Sequence, residues 1–290
     1  MTVVSIRDKA LKQRDTQNWF NLDSKEDRQY QDYWNNEEIE NDKEWNILDG
    51  NFAKMETYLE GQCLIEDLNK CCEILSNNYN IQLHGTGIDL AAGNLWAIPY
   101  LLNVGPVDLI YCLEYSMHRL LNLGPAVLDH YDVPCEKTIL VYGSFYHLHL
   151  ENNSLDFCFL SQAFHHAEKP DELLYEIKRV LKPDGCVIII GEFSKKTIIP
   201  YFKYFVKFFS HLILPKKIQI LIFNHTLTVN KVFPTSEDLF PTNPILGDHY
   251  YTRFHYLQMF KQHGFIVKEV KGSKSSHKSF ILRVQNKGSS

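Results

Sequence analysis

The sequence predicts a doubly wound α/β fold with a mostly parallel, seven-stranded sheet, and two observations lead to it. Between residues 84 and 192, five short apolar runs alternate with helical stretches, a pattern typical of parallel strands covered on both faces. The chain then closes with a helix and two further strand-like runs, which predict a hairpin with an antiparallel final strand. A length of 290 residues suits one core domain with additions.

The elements of the predicted core follow in chain order. The strand candidates are GIDLA, VDLIYCLE, TILVYGS, LDFCFLSQ and GCVIIIGE, followed near the end of the chain by FIVKEV and SFILRVQ. The clearest helix is DELLYEIKRVL, residues 171–181, and a later one, YTRFHYLQMFKQHG, is terminated by Gly264. The core is therefore expected to comprise residues 81–192 and 248–290.

Two segments lie outside this core. Residues 1–80 are interpreted as an N-terminal helical cap, in which residues 52–79 have the spacing of one or two amphipathic helices. Residues 193–247 are rich in Phe, Tyr, Ile and Lys, and they follow the fifth strand. We expect them to form a helical insertion that acts as a lid over an acceptor pocket.

Composition limits the function classes. A net charge of -5 lacks the basic surplus of nucleic-acid binders, so no nucleic acid is expected as a partner. The seven cysteines are an odd number without zinc-site spacing, which predicts free thiols in a reducing compartment. The sequence shows neither a secretory leader pattern nor an apolar run of about 20 residues, so a cytoplasmic protein is expected.

Candidate ligand contacts stand at four strand ends, where open α/β sheets bind their ligands. The small residues from Asp89 to Gly93 would let backbone N–H groups approach a ligand. Glu114, about 20 residues further on, could accept both hydroxyls of a ribose. YGSF, ending at Phe145, could hold an adenine with a polar contact from Ser144. The fourth strand end is FLSQAFHH, which contains the adjacent histidines.

The order of these pieces resembles the class I S-adenosylmethionine-dependent methyltransferases, in the small-molecule, type 11-like branch. The first motif of that family, roughly Asp-Leu-Gly-x-Gly-x-Gly, stands here as Asp-Leu-Ala-Ala-Gly-Asn-Leu over residues 89–95. The run SLDFCFLSQAFHHAEKPDELLYEIKRVLKPDGCVIIIGE resembles its Phe-Asp-x-Val, His-His and Arg-Val-Leu-Lys-Pro-Gly-Gly elements. HYLQMFKQHGF resembles the helix before its sixth strand. The resemblance covers roughly residues 84–192 and 249–285.

The resemblance implies a Rossmann-like methyltransferase fold with S-adenosylmethionine as the cofactor. The cofactor-binding residues that it implies are Asp89, Ala91, Ala92, Gly93, Glu114, Tyr115, Gly143, Ser144, Phe145, Ser161, Gln162 and His165. His166 is the candidate catalytic residue, and no metal is expected because adjacent histidines do not share a helix face. Tyr33 of the cap, with Tyr30 and Trp34, is expected to close over the sulfonium through cation–π attraction.

The sequence departs from the family pattern at three positions. Ala91 and Leu95 replace glycines, and Ser144 replaces the acid that would bind the adenine amine. We expect Leu95 to crowd the loop unless the helix starts earlier. A dinucleotide reading of HGTG, residues 84–87, is disfavoured because this Gly-x-Gly precedes the strand rather than following it.

The expected function is methyl transfer to an oxygen or nitrogen atom of a small-molecule acceptor. One alternative is methylation of a lipid or lipid-linked sugar, with peripheral membrane contact through residues 195–224, where lysines would meet anionic head groups. The other is a degenerate family member that acts as a binding or scaffold protein, which Leu95 and Ser144 favour. Each of these functions is compatible with an oligomeric protein.

Overall fold

The sheet has eight strands in the spatial order β1-β4-β3-β2-β5-β6-β8-β7. The structure is a computed structural model, and it describes residues 14–20, 28, 32, 34–35, 52–194, 198–223, 249 and 251–284. The strands are β1 (Asp15–Asn18), β2 (Gly85–Leu90), β3 (Val107–Glu114), β4 (Thr138–Tyr142), β5 (Leu155–Ser161), β6 (Leu181–Phe193), β7 (Phe265–Lys271) and β8 (His277–Val284).

Strand directions confirm the predicted doubly wound, mostly parallel fold. The pairings among β1 to β6 are all parallel, whereas β8 lies antiparallel between β6 and β7. The number of strands differs from the expected seven because β1 adds to the edge of the sheet beside β4, with Asp15 opposite Ile139. This part of the predicted helical cap is therefore a strand. Its polar sequence, DTQN, has no apolar alternation by which it could be recognised.

Residues on both sides of strand β1 bind it to the rest of the domain. Before it, the buried Arg14 guanidinium donates to the Asp129 carboxylate at 3.0 Å and to the Thr138 hydroxyl at 3.2 Å. After it, Trp19 donates its backbone N–H to the Tyr142 carbonyl at 2.9 Å and buries its ring, as does Phe20. These contacts add to the backbone pairing of β1 with β4 in anchoring the strand.

Eight α-helices lie in the continuous described segments from residue 52 onward. They are α1 (Phe52–Gln62), α2 (Leu64–Tyr79), α3 (Ile98–Asn103), α4 (Gly124–His130), α5 (Pro170–Val180), α6 (Ile198–Ile213), α7 (Lys216–Phe223) and α8 (Arg253–Gln262). A π-helical turn, His118–Leu123, precedes α4. The helices predicted for residues 52–79 are separate because Cys63 adopts a left-handed conformation between them.

The helices cover both faces of the sheet. Leu68, Cys71 and Leu75 of α2 are buried in one hydrophobic cluster, which also takes in α1, α3 and α4. A second cluster contains the apolar residues of α5 and α8 and the opposite side chains of the same strands. Helices α1 and α2, which the sequence placed in the N-terminal cap, therefore belong to the layer of helices on one face of the sheet. In α5, Pro170, acids in the first turn and bases in the last turn suit the helix dipole.

The order in which the chain adds strands to the sheet reverses beside β2. From β2 it moves outward through β3 to β4, and it then returns to form β5 on the other side of β2. The carboxyl ends of β2, β3 and β5 therefore surround the crevice where open sheets bind ligands. The insertion contributes α6 and α7 after β6. Among the described residues, no helix has both the length and the apolar character needed to cross a bilayer.

Candidate functional site

A cavity of about 330 Å³ lies at the carboxyl ends of β2, β3 and β5, within the usual size range of small-molecule sites. Most of the residues predicted to contact the cofactor line it, as does the predicted catalytic residue: Asp89, Ala91, Ala92, Gly93, Glu114, Tyr115, Phe145, Ser161, Gln162, His165 and His166. Gly143 and Ser144 do not line it. Tyr33 and Tyr30 lie outside the described residues, whereas Trp34 is in the wall.

The turn after β2 is built from alternate left-handed residues. Ala91, Gly93 and Leu95 have φ values of 58°, 57° and 66°, a conformation that glycine adopts at least cost. The Ala92 N–H donates to the Leu113 carbonyl at 2.9 Å, and the Gly93 N–H donates to Glu114 Oε2 at 2.7 Å. These two N–H groups, which the sequence assigned to a ligand, are therefore used within the protein.

Glu114 joins this turn to the end of β3. Its Oε2 accepts from Gly93, and its Oε1 accepts from the Ser116 N–H at 2.9 Å. The side chain is buried yet borders the cavity. Because each carboxylate oxygen has two lone pairs, both oxygens retain acceptor capacity for a ligand. Two backbone groups thus hold the carboxylate in one orientation before any ligand arrives.

Asp89 lies beside Glu114 at the end of β2. Burial, together with the negative charge of Glu114, raises the pKa of the Asp89 carboxyl well above its ordinary value. The shift favours the protonated form, which donates a hydrogen bond as well as accepting them. The two acids of this site are therefore suited to different contacts.

Leu95 does not crowd the cavity, contrary to expectation. Its side chain is fully buried in the hydrophobic cluster beneath α3 and α4. It fills the space beside Gly124, where an added Cβ would come within 2.6 Å of Leu95 Cδ1. The departure from the family glycine therefore contributes to the core rather than obstructing the site.

We expect Leu95→Ala to lower the stability of the fold by about 2–5 kcal/mol, the usual cost of truncating a buried leucine. Because the side chain points away from the cavity, the Kd for S-adenosylmethionine should change by less than about threefold, well under 1.4 kcal/mol. Chemical denaturation and calorimetry measure the two effects. The control is Leu101→Ala, which truncates a leucine that is also fully buried and that lies on α3. A tenfold weaker Kd in Leu95→Ala alone would contradict this reading.

Aromatic residues form the wall beyond Glu114. The rings of Tyr115 and Phe145 meet edge to face, with their centroids 5.6 Å apart. The Tyr115 hydroxyl donates to Ser144 Oγ at 2.7 Å, and Ser144 is fully buried behind it. Gly143 packs against Trp19, whose Cβ would lie 2.9 Å from an added Cβ. Tyr115 thus stands on the cavity side of the residue to which the sequence assigned the adenine contact.

Glu192, at the end of β6, organises the opposite wall, although no motif in the sequence marked it as a site residue. Its carboxylate accepts from the backbone N–H groups of Ala163, Phe164 and His165 at 3.0–3.2 Å. It also contacts His165 Nδ1 at 2.9 Å and accepts from the Tyr256 hydroxyl at 3.0 Å. The sequence did contain a signal for Glu192, because this acid ends an apolar strand at the same edge of the sheet as Asp89 and Glu114.

The pKa of Glu192 reflects opposing influences. Complete burial raises it, but the adjacent His165 and the hydrogen bonds from Phe164 N–H and Tyr256 outweigh burial. The pKa of Glu192 therefore lies below its ordinary value, and the carboxylate form is favoured. This charge fixes the backbone of the turn Phe164–His166 and one ring nitrogen of His165.

Other lining residues present polar groups to the same space. Ser161 Oγ and Asn94 Nδ2 are buried and have no hydrogen-bond partner among the described residues. Arg119 adds a guanidinium to the wall, with Nη1 3.9 Å from where a Cβ on Gly93 would lie. The His166 ring meets Trp34 edge to face at 5.0 Å. Asn94 lies within the first motif but was not among the predicted contacts, and no motif in the sequence had indicated Arg119.

Residues 88–189 match the family model described as "Methyltransferase domain". The chain contains a methyltransferase domain. The match runs from the second half of β2 through β5 to most of β6, and so includes the turn after β2, Glu114 and the two histidines. It confirms the recognition of the class I family from the sequence, and it supports S-adenosylmethionine as the expected cofactor. No curated protein matches the chain.

Solved structures share the fold of the methyltransferase domain. An S-adenosylmethionine-dependent methyltransferase from Leishmania major has 12% identity and a TM-score of 0.55, with 86% of this chain and 83% of that chain covered. The PH0226 protein from Pyrococcus horikoshii OT3 has 16% identity and a TM-score of 0.51, with 78% and 92% covered. Mitomycin 7-O-methyltransferase MmcR has 11% identity and a TM-score of 0.50, with 85% and 62% covered.

Proposed function

We propose that the methyltransferase domain transfers a methyl group from S-adenosylmethionine to an oxygen or nitrogen atom of a small-molecule acceptor. The observation that carries the proposal is that Glu114 and the two histidines line the same cavity, at the switch point of the sheet. An acid for the ribose and a proton acceptor for the methylated group then face one space. The acid for the ribose and the proton acceptor, both expected of a class I methyltransferase, thus border the same cavity.

The lining residues fit the proposed cofactor. Glu114 would accept the ribose hydroxyls, and the rings of Tyr115 and Phe145 would border the adenine. The Arg119 guanidinium supplies positive charge for the carboxylate of the methionine group. Ser161 Oγ and Asn94 Nδ2 are buried polar groups of the kind that a ligand satisfies, and each such group costs about 1–3 kcal/mol when it has no partner.

Methyl transfer requires that the acceptor be positioned and that its proton be removed. When bound, S-adenosylmethionine supplies an electrophilic methyl group, so the protein must align the acceptor atom and accept its proton. We assign the proton to His166, which lines the cavity and packs against Trp34. Its neighbour His165 has Nδ1 held by Glu192 and serves to position this turn.

The scaffold alternative loses one of its two supports. Leu95 lies in the core rather than in the site, and only Ser144 remains as a departure that favours a lost cofactor. The alternative of a lipid or lipid-linked acceptor keeps its support, because exposed apolar residues of α6 and α7 follow Phe193, which lines the cavity. A cytoplasmic location remains a prediction, and all seven cysteines are free.

Binding and transfer test the proposal together. We expect calorimetry to show S-adenosylmethionine and S-adenosylhomocysteine binding, and methyl-labelled cofactor to label members of an acceptor panel of phenols, amines, sugars and glycolipids. His166→Ala should lower kcat by about 10²–10⁴-fold, the usual contribution of a general base, while cofactor affinity is retained. His147→Ala, at an exposed histidine, is the control. A folded wild-type protein that binds neither ligand would exclude the proposal.

A further inference from the structure

The two helices of the insertion expose large apolar side chains. Ile213 at the end of α6 is 71% exposed, and Leu221 on α7 is 86% exposed. Val206 and Phe209 share the stripe of Ile213 on α6, at i, i+3 and i+7, whereas Ile218 and Ile222 share that of Leu221 on α7. All six side chains are more than two-fifths exposed. An apolar surface of this extent typically marks an interaction site.

The two helices form one unit, which we call the apolar hairpin (residues 198–223). Gln219 of α7 is buried, and its amide donates to the Leu214 carbonyl at 2.8 Å. It also reaches the Ser210 and His211 carbonyls at 3.4 Å. One side chain on α7 thus contacts carbonyls at the end of α6 and fixes the corner between the helices.

Charge distinguishes this part of the chain from the rest. Between residues 193 and 236 the sequence has seven lysines and no aspartate or glutamate, although the whole chain carries a net charge of -5. Lys207, Lys216 and Lys217 lie on the hairpin itself. An exposed apolar surface in a stretch of sequence whose only charged residues are lysines is complementary to an anionic bilayer, where lysines meet head groups and apolar side chains enter the interface.

We infer that the apolar hairpin docks the protein onto an anionic phospholipid surface. A second copy of the chain is a poorer occupant, because a two-fold interface would place the lysines of one copy against those of the other. Helix α6 begins five residues after Phe193, which lines the cavity, so a short segment joins the hairpin to the cavity wall. The inference goes beyond the proposed function and does not depend on it.

Vesicle flotation of the full chain tests the inference, with vesicles of phosphatidylcholine alone and of equal parts phosphatidylcholine and phosphatidylglycerol. We expect binding to the anionic vesicles that is at least about tenfold stronger and that falls as salt is added. The Lys216→Gln/Lys217→Gln variant should bind about 30-fold more weakly. Ile213→Ser/Leu221→Ser should lose at least about tenfold through reduced apolar burial.

Matched controls separate the hairpin from general charge and hydrophobicity. Lys261→Gln/Lys268→Gln removes the same charge from exposed positions elsewhere, and Ile266→Ser removes an exposed apolar side chain from β7. Neither should alter vesicle binding. Equal loss in these controls, no binding by a folded wild type, or a dimer that Ile213→Ser/Leu221→Ser dissociates would overturn the inference. Cofactor binding in solution, measured on the same samples, reports separately on the proposed function.

Discussion

Replacing Glu114 by alanine is expected to weaken S-adenosylmethionine binding by at least about 100-fold. Each charge-assisted hydrogen bond to a ribose hydroxyl is worth about 1.5–3 kcal/mol, so the loss of two exceeds the 2.7 kcal/mol that corresponds to this factor. The same substitution also removes the acceptor of Gly93 N–H and Ser116 N–H, which frees the turn after β2. Calorimetric titration of the variant beside the wild type measures the effect.

Two further variants define what the carboxylate contributes. Glu114→Gln keeps one carbonyl acceptor and should bind with intermediate affinity. Asp108→Asn removes an acid from an exposed position on the same strand and should leave the Kd unchanged. If the alanine variant kept its thermal stability and bound within about threefold of the wild type, the assignment of Glu114 to the cofactor would be wrong.

The largest expected loss of stability follows Glu192→Gln. The glutamine oxygen can still accept from Ala163 and Phe164, but its amide group would face the His165 N–H and the Tyr256 hydroxyl, which both donate to Oε2, and would also meet His165 Nδ1. Disrupting a buried, hydrogen-bonded charge of this kind costs about 3–5 kcal/mol. At about 2–4 °C per kcal/mol, Tm should fall by at least about 6 °C. Glu73→Gln, at an exposed position of α2, should leave Tm unchanged.

The pH dependence of this difference identifies its electrostatic origin. Because the pKa of Glu192 in the folded protein lies below the ordinary value of 4.5, the carboxylate stabilises the fold fully above pH 4.5. This contribution is lost as the pH falls through the lower folded-state pKa. The Tm difference between the wild type and Glu192→Gln should therefore be constant near neutral pH and shrink in acid. A difference that stays the same in acid would indicate a steric cause instead.

The core of the fold could be predicted because its local signals agree. The runs from GIDLA to GCVIIIGE are apolar because both faces of these strands are covered, and a helix with acids first and bases last stands before β6. Strand β1 could not be predicted, since DTQN has no periodicity and its position depends on Arg14 reaching Asp129 and Thr138. Contacts this distant in sequence leave no local pattern.

The site was predictable where strand ends carry small or acidic residues, as at Gly93 and Glu114. Two finer expectations depended on side-chain direction, which a sequence does not record. Leu95 was expected to crowd the loop, but its left-handed backbone turns it toward Gly124. Ser144 was expected to face adenine, but Tyr115 lies in front of it. Glu192 was visible as a strand-end acid, yet its partner Tyr256 is 64 positions away.

The position of β1 has a consequence for the order in which the protein assembles. Arg14 and Thr138, which join this strand to the rest of the sheet, are 124 positions apart. At a synthesis rate of about 5–20 residues per second, the segment waits about 6–25 s before its partner strand has been made. Until then Trp19 and Phe20, buried in the finished sheet, have no native surface to cover. Strand β1 therefore cannot be placed until β4 has been made, and the two aromatic rings that follow it remain available to chaperones during that interval.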